Sequence, residues 1–119
     1  MKIELLKAKI HGARVTGADV DYEGSIAIDE ALLELSGLVE HEHVHIWNKT
    51  NANRFSTYVI KAPKNSRTLA LNGAAAKLVQ IGDEVIIAAF AHFDPIEAKT
   101  HSPTVVLVNA QNVGRLKMA

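Results

Sequence analysis

The segment EVIIAAFAHF, residues 84–93, is the most apolar part of this 119-residue chain and directly follows Gly82-Asp83. A glycine next to an acidic residue marks a turn, and a run of β-branched and aromatic residues of this length is typical of a strand. Because nearly every position is apolar, we predict a strand at the centre of the core. The longest uninterrupted apolar run, residues 85–91, is far too short to span a bilayer.

Shorter strands are predicted on either side of this segment. Alternating or β-branched residues bounded by turn residues indicate strands at 2–16, 25–28, 44–48, 54–60, 68–71 and 104–108. Helix signals are few: Asp29 and Gly37 bracket one short apolar helical face, and Asp94-Pro95 begins a second helix. Many short strands with one or two short helices predict a mainly β fold, a small β-barrel.

Composition narrows the function classes. The length fits a single domain, 1–119, and the 48% hydrophobic content suffices for a packed core. Thirteen basic residues balance thirteen acidic ones, so no overall field favours nucleic acid or an anionic membrane surface. There is no cysteine, which excludes disulfides and Cys-based zinc sites or nucleophiles. The N-terminus lacks the apolar core of a signal peptide, so we expect a soluble, cytoplasmic protein with no nucleic-acid or membrane partner.

The turn Tyr22-Glu23-Gly24-Ser25 carries the candidate chemistry. A serine hydroxyl can attack the carbonyl of the preceding residue when the backbone is held against it, which converts the amide into an ester. Gly24 has no Cβ to block that approach. Loss of the ester by β-elimination, followed by hydrolysis, would leave a pyruvoyl group at residue 25 and split the chain into 1–24 and 25–119. Alone, however, a Gly-Ser pair is common in turns and loops and does not indicate a cleavage site.

Further motifs follow this turn in a fixed order. They are Ile28-Asp29, Ile46-Trp47-Asn48, Arg54-Phe55-Ser56-Thr57-Tyr58, Asn72-Gly73-Ala74-Ala75-Ala76 and Gly82-Asp83. In this order and at these spacings, residues 9–93 resemble the pyruvoyl-dependent aspartate 1-decarboxylase family. Gly12, where many relatives carry a basic residue, departs from that family. Residues 109–119 also depart from it, and we infer nothing from this tail.

The resemblance implies a double-psi β-barrel that cleaves itself between Gly24 and Ser25. The pyruvoyl cofactor derived from Ser25 would form a Schiff base with L-aspartate and accept the electrons released as carbon dioxide leaves, a role that no unmodified side chain can fill. The product, β-alanine, feeds pantothenate biosynthesis. The family is a homotetramer with sites between subunits, and some members need a helper protein to mature.

Three polar residues are candidates for contact with the substrate. By default Arg54 and Lys9 would be solvated surface side chains, and Tyr58 would be a half-buried strand tyrosine with its hydroxyl at the surface. A guanidinium can grip a carboxylate with two parallel hydrogen bonds, and by resemblance Arg54 binds a substrate carboxylate. Lys9 lies by the active site in the family, where it can pair with the carboxylate released at Gly24 or with the substrate, although neighbouring Lys7 has the same claim by composition. Tyr58 has the reach to return a proton to the substrate carbon, and the family assigns it the role of proton donor.

Two further residues are candidates for maturation. Thr57 and Asn72 can donate hydrogen bonds to the oxyanion that forms when Ser25 attacks Gly24. Because neighbours on a strand point to opposite faces, Thr57 and Tyr58 can share one pocket only through a bend or a subunit interface.

The predicted substrate-binding set also contains small side chains and one large aromatic residue. With Asn72, the residues Gly73, Ala74 and Ala75 would let backbone N–H groups come close to a ligand. Trp47 either forms a wall of the pocket or fills the core.

The histidines receive no role. His41, His43 and His45 alternate along the chain, a spacing that can build a metal site. Glu40 and Glu42 lie between them, however, so the segment looks like a polar stretch that precedes a strand. We therefore predict no metal site. The rival to the enzyme is an uncleaved, non-catalytic small β-barrel that binds a ligand or partner, and the zero net charge disfavours a nucleic-acid version of it.

Overall fold

The computed structural model of the chain describes residues 1–118. In that range the chain forms nine strands and three short helices. The strands are β1 Ile3–Arg14, β2 Gly17–Asp19, β3 Ser25–Asp29, β4 His43–Asn48, β5 Arg54–Ala62, β6 Leu69–Asn72, β7 Glu84–Phe93, β8 Thr104–Val108 and β9 Gly114–Leu116. The helices are α1 Glu30–Ser36, α2 Pro95–Thr100 and one 3-10 helix, Gly73–Leu78. None of these three helices is long and apolar enough to cross a membrane.

All nine strands of residues 1–118 join in the order β2-β6-β3-β5-β4-β7-β1-β8-β9. β1 runs on through Val15 and Thr16 into β2, and the N–H groups of Val15 and Thr16 donate to the backbone carbonyls of Asp83 and Leu69. Within this continuous segment, residues 3–14 pair with β7 and residues 17–19 pair with β6. Both edges of the run β6-β3-β5-β4-β7 therefore meet the same stretch of chain. This curled pairing is consistent with a small β-barrel, and the predicted mainly β fold is confirmed.

β7 lies at the centre of the core, as its composition predicts. It pairs with β1 on one side and with β4 on the other, and Ile10 and Ile46 are the two register partners of Ile87. All three isoleucines are fully buried. Each such side chain contributes about 2 kcal/mol through removal of its apolar surface from water. The apolar side chains that distinguish residues 84–93 in the sequence thus pack with those of the two neighbouring strands, β1 and β4.

Both predicted helix starts are confirmed. The Asp29 carboxylate accepts a hydrogen bond from the N–H of Ala31 at 2.8 Å, and Gly37 ends α1 in the left-handed conformation. Asp94 caps α2 in a reciprocal pair of hydrogen bonds with Glu97. These ends are fixed by local side-chain chemistry, which explains why they can be recognised from sequence alone.

The tail, for which the sequence offers no inference, is part of the sheet. β9 pairs antiparallel with β8. Asn112 is buried just before β9, where its side chain accepts from the N–H of Arg14 at 2.7 Å and donates to the carbonyls of Arg14 and Arg67. The tail is thereby tied to the end of β1, while Ala119 lies outside the described residues.

Candidate active site

Ser25 is the first residue of β3 and is buried, with 2% of its surface exposed. It is the register partner of Asn72, the last residue of β6. The side-chain amide of Asn72 donates to the Ser25 hydroxyl oxygen at 3.0 Å, and that hydroxyl donates to the Glu23 carbonyl at 3.4 Å. The structure therefore brings two of the predicted maturation residues together, with the Asn72 amide on the attacking oxygen of Ser25.

The Gly73 backbone packs directly against the turn that precedes Ser25. Gly73 has a φ of +73°, and a Cβ built on it would lie 2.7 Å from the Cα and 2.9 Å from the nitrogen of Gly24. The same atom would lie 3.2 Å from the carbonyl oxygen of Tyr22. After Gly73 the 3-10 helix carries Ala74 outward and leaves Ala75 half-buried. The predicted small-residue motif thus meets the predicted cleavage turn.

Thr57 and Tyr58 lie on β5 beside Ser25, because Ile26 pairs with Val59 in the parallel β3/β5 ladder. The β4/β5 ladder runs through both residues without a bulge. Tyr58 is 39% exposed, whereas Thr57 is half-buried opposite Val44. Regular pairing places the two side chains on opposite faces, so the structure shows no bend in β5 that would turn both into one pocket.

Arg54 and Trp47 form a second cluster at the start of β5. They are register partners across the β4/β5 ladder, and the Arg54 guanidinium carbon lies 4.6 Å from the centroid of the Trp47 ring. Stacking of this kind orients the planar guanidinium while its N–H groups stay free to bind an anion. Trp47 is half-buried on an open cleft of about 420 Å³, so it lies in a wall and not in the core. The cleft is lined by Glu4, His45, Trp47, Arg54, Phe55, Ser56 and Phe90.

The turn that carries Arg54 is held by a buried asparagine. The Asn48 side chain donates to the Asp83 carboxylate at 2.8 Å and accepts from the N–H of Thr50 at 2.9 Å. The carbonyl of Leu78, at the end of the 3-10 helix, accepts from the side chains of Asn48, Asn51 and Asn53. The end of β4, the β4–β5 turn and the loop before β7 are fixed to one another by these bonds.

Lys9 is half-buried on β1, where it pairs with Ala88 of β7, three strands from β5 in the sheet order. Lys7 forms an ion pair with Glu42. Within residues 1–118, Lys9 forms no ion pair, so its ammonium is available to another anion. Of the two lysines with equal claim by composition, Lys9 is the one whose charge is not already matched.

Residues missed in the sequence line the cleft beside Arg54. His45 lies edge-on to Phe90 at 5.5 Å between ring centroids, and the rings of His43 and His45 are 5.0 Å apart. The sequence could have indicated His45, because alternate residues of a strand lie on one face and His45 is two residues before Trp47, a predicted substrate-binding residue. No comparable local signal marks Phe90, which reaches the cleft through the β4/β7 pairing.

Comparison with known proteins identifies the family. Residues 1–114 match the family model for aspartate decarboxylase. The chain belongs to the aspartate decarboxylase family. Two proteins named aspartate 1-decarboxylase, from Xanthomonas oryzae pv. oryzae and Hyphomonas neptunium, are 57% and 52% identical to it over 112 residues. Those residues make up 94% of this chain and 89% and 95% of the two relatives. The predicted family and the predicted class of enzyme, a decarboxylase, are confirmed.

In this member of the aspartate decarboxylase family, the predicted residues occupy two separate places on one chain. Ser25, Gly24, Asn72 and Gly73 meet at one end of β3. Arg54 lies four residues before Tyr58 on β5, a separation of about 13 Å along an extended strand. Of the described residues, neither Ser25 nor Tyr58 lines the cleft beside Arg54.

Proposed function

We propose that this chain is a proenzyme that cleaves itself between Gly24 and Ser25 and then converts L-aspartate to β-alanine and carbon dioxide. The observation that carries the proposal is the burial of Ser25, in a decarboxylase family member, with its hydroxyl held by Asn72 against the turn it would cut. Single-domain architecture is part of the proposal, with 1–24 and 25–119 as the two cleaved chains.

The cleavage step uses Ser25 and Asn72, whose side chains are already hydrogen-bonded to each other. Ser25 Oγ attacks the Gly24 carbonyl carbon, and the C–N bond breaks as the Ser25 nitrogen takes up a proton, which leaves an ester. Elimination then releases the Gly24 carboxylate and removes the Ser25 Cα proton. Water replaces the nitrogen of the resulting dehydroalanine, which departs as ammonia. Asn72, with Thr57 as a second donor from β5, would stabilise oxygen charge during the first step.

A pyruvoyl group formed from Ser25 fits this location, because residue 25 would become the N-terminus of 25–119 at a buried position rather than in bulk solvent. When present, such a group supplies a ketone carbonyl that binds the substrate amine and withdraws electrons as the carboxylate leaves. Asn72 and Gly73, with Ala74 and Ala75, would hold it and the substrate. No protein side chain offers equivalent chemistry.

Substrate binding falls to the second group of residues. Arg54 binds one carboxylate of L-aspartate with its stacked guanidinium, and Lys9 supplies a further positive charge. Tyr58 protonates the carbon that loses carbon dioxide. Because Arg54 and Tyr58 are about 13 Å apart along β5, we propose that two subunits of a homotetramer complete each site. The exposure of Tyr58 and Phe90 supports an interface on this face.

The cellular setting belongs to the same proposal. It comprises pantothenate biosynthesis as the use of β-alanine, a cytoplasmic location and a helper protein for maturation. Support for these points comes from the family resemblance alone.

The test is an intact mass spectrum of the denatured protein before and after prolonged warming, with Ser25→Ala as the control. We expect the unmodified chain to yield 1–24 with a free carboxylate and 25–119 with a pyruvoyl N-terminus, while Ser25→Ala stays whole. Aspartate decarboxylation, followed as β-alanine formation, should appear only in the cleaved preparation. A chain that never splits, with or without family helper proteins, would contradict the proposal and favour the uncleaved binding module.

A further inference from the structure

Gly73 occupies a position where any other residue would collide with the backbone of Gly24, the residue that precedes the bond to be cleaved. Its Cβ would approach the Gly24 backbone to 2.7 Å, closer than real Cβ atoms come to other heavy atoms, whereas ordinary contact begins at 3.4 Å. The colliding atoms are backbone and not the far end of a flexible side chain. The backbone at Gly24 or Gly73 must therefore shift, by about 0.3 Å to reach 3.0 Å, the shortest separation that real Cβ atoms show, and by about 0.7 Å to reach ordinary contact.

We infer that Gly73 is a positioning residue for the cleavage, an inference that rests on the proposed self-cleavage between Gly24 and Ser25. Gly73 makes no bond to the reacting atoms. The backbone of residue 24 lies in the space that a side chain at position 73 would fill, and this holds Gly24 in the turn whose Glu23 carbonyl accepts from the Ser25 hydroxyl.

Asn72, the last residue of β6, and Gly73, which follows it, thus contact the residues on the two sides of the scissile bond. The Asn72 amide holds the attacking oxygen of Ser25 at 3.0 Å, and the next residue, Gly73, supports the acyl side from Gly24. Since both come from the same short stretch of backbone, their separation is nearly fixed. A displacement of Gly24 relative to this pair changes the attack geometry directly.

Gly73 belongs to the residues that the sequence resemblance predicts to bind the substrate. In the intact chain, however, the space beside Gly73 is filled by the Gly24 backbone, so a substrate could reach it only after that segment had moved. The contact gives Gly73 a function in the uncut chain that precedes any role in turnover.

The test is Gly73→Ala, with Gly82→Ala and Gly37→Ala as matched controls. All three glycines have positive φ, at +73°, +95° and +80°, so alanine brings similar backbone strain to each. Only Gly73 has an atom within 4 Å of the added Cβ. The measurement is the rate at which the intact chain converts to 1–24 and 25–119, read by intact mass, together with circular dichroism as a check of folding.

We expect Gly73→Ala to cleave about 100-fold more slowly than the unmodified chain, the loss typical of a misplacement near 1 Å. Both controls should cleave at the unmodified rate. Because residues 20–24 are exposed, their displacement leaves the core intact, and Gly73→Ala should fold as the controls do.

Three results would overturn the inference. If Gly73→Ala cleaves as fast as Gly82→Ala, the contact has no part in cleavage, although the proposed function stands. If Gly73→Ala fails to fold while both controls fold, the contact supports the fold and not the scissile segment. If the unmodified chain itself never cleaves, the proposed function fails and this inference fails with it.

Discussion

Replacement of Asn48 by alanine should destabilise the protein far more than its position beside a surface turn would indicate. Asn48 is 2% exposed, and its side chain joins the Asp83 carboxylate, the N–H of Thr50 and the carbonyl of Leu78. Alanine offers none of these bonds and leaves a buried carboxylate oxygen with one donor fewer.

The magnitude follows from the individual bonds. The 2.8 Å bond to the Asp83 carboxylate is charge-assisted and contributes about 1.5–3 kcal/mol, and the 2.9 Å bond from Thr50 contributes about 1 kcal/mol. The bond to Leu78 is long, at 3.4 Å, and Leu78 keeps two other donors. Asp83 likewise keeps the N–H of Gln80 at 2.9 Å. We therefore expect a loss of about 3 kcal/mol in the free energy of unfolding.

The assay is equilibrium unfolding in urea at a fixed protein concentration, with Asn51→Ala as the control. Asn51 donates to the same Leu78 carbonyl but is exposed, so its removal should cost about 0.5 kcal/mol because water replaces it. The midpoint should fall for Asn48→Ala with an unchanged slope. Equal and small losses for the two variants would refute the claim that Asn48 joins β4 to the loop before β7.

Three further outcomes are expected. Ala52 is exposed at a φ of +69°, so Ala52→Gly should raise the free energy of unfolding by about 0.5 kcal/mol, measured by urea unfolding; a loss would show that the turn gains from its Cβ. The hydrogen bond and charge of Lys49 lower the pKa of Glu84, so their stabilisation is present above the ordinary pKa of about 4.3 and is lost as pH falls through the lowered value. Glu84→Gln should therefore lose less than about 1 kcal/mol at pH 7 and converge with the unmodified protein in acid, measured as melting temperature against pH; a constant difference would argue against the pair. Arg54→Lys keeps the positive charge but removes the planar guanidinium that stacks on Trp47. The KM for aspartate should therefore rise about tenfold, while the rate of self-cleavage stays unchanged. An unaltered KM would show that the substrate carboxylate binds elsewhere.

Much of the fold follows from short-range signals. The apolar run of β7 and the caps at Asp29 and Gly37 depend on residues close in sequence, so the sequence alone indicates them. The tail is different: Asn112 is buried because it meets Arg14 and Arg67, 98 and 45 residues away. Nothing in the composition of the tail identifies those partners.

The site divides in the same way. Alternation along a strand correctly places Thr57 and Tyr58 on opposite faces, and the regular β4/β5 register agrees. The contact between Gly73 and Gly24 depends on how two turns meet in space, so no spacing in the sequence predicts it. Sequence resemblance supplied both motifs, and the structure supplied their contact.

The place of β1 in the sheet has a consequence for a chain cut after residue 24. β1 lies between β7 and β8, and Ala8, Ile10 and Ala13 on it are almost completely buried. The shorter piece would thus contain an interior strand that the longer piece has no means to replace. Its departure would open three unpaired strand edges, on β6, β7 and β8. A nicked molecule would therefore migrate, bind and unfold as a single particle, and its two pieces would separate only in denaturant.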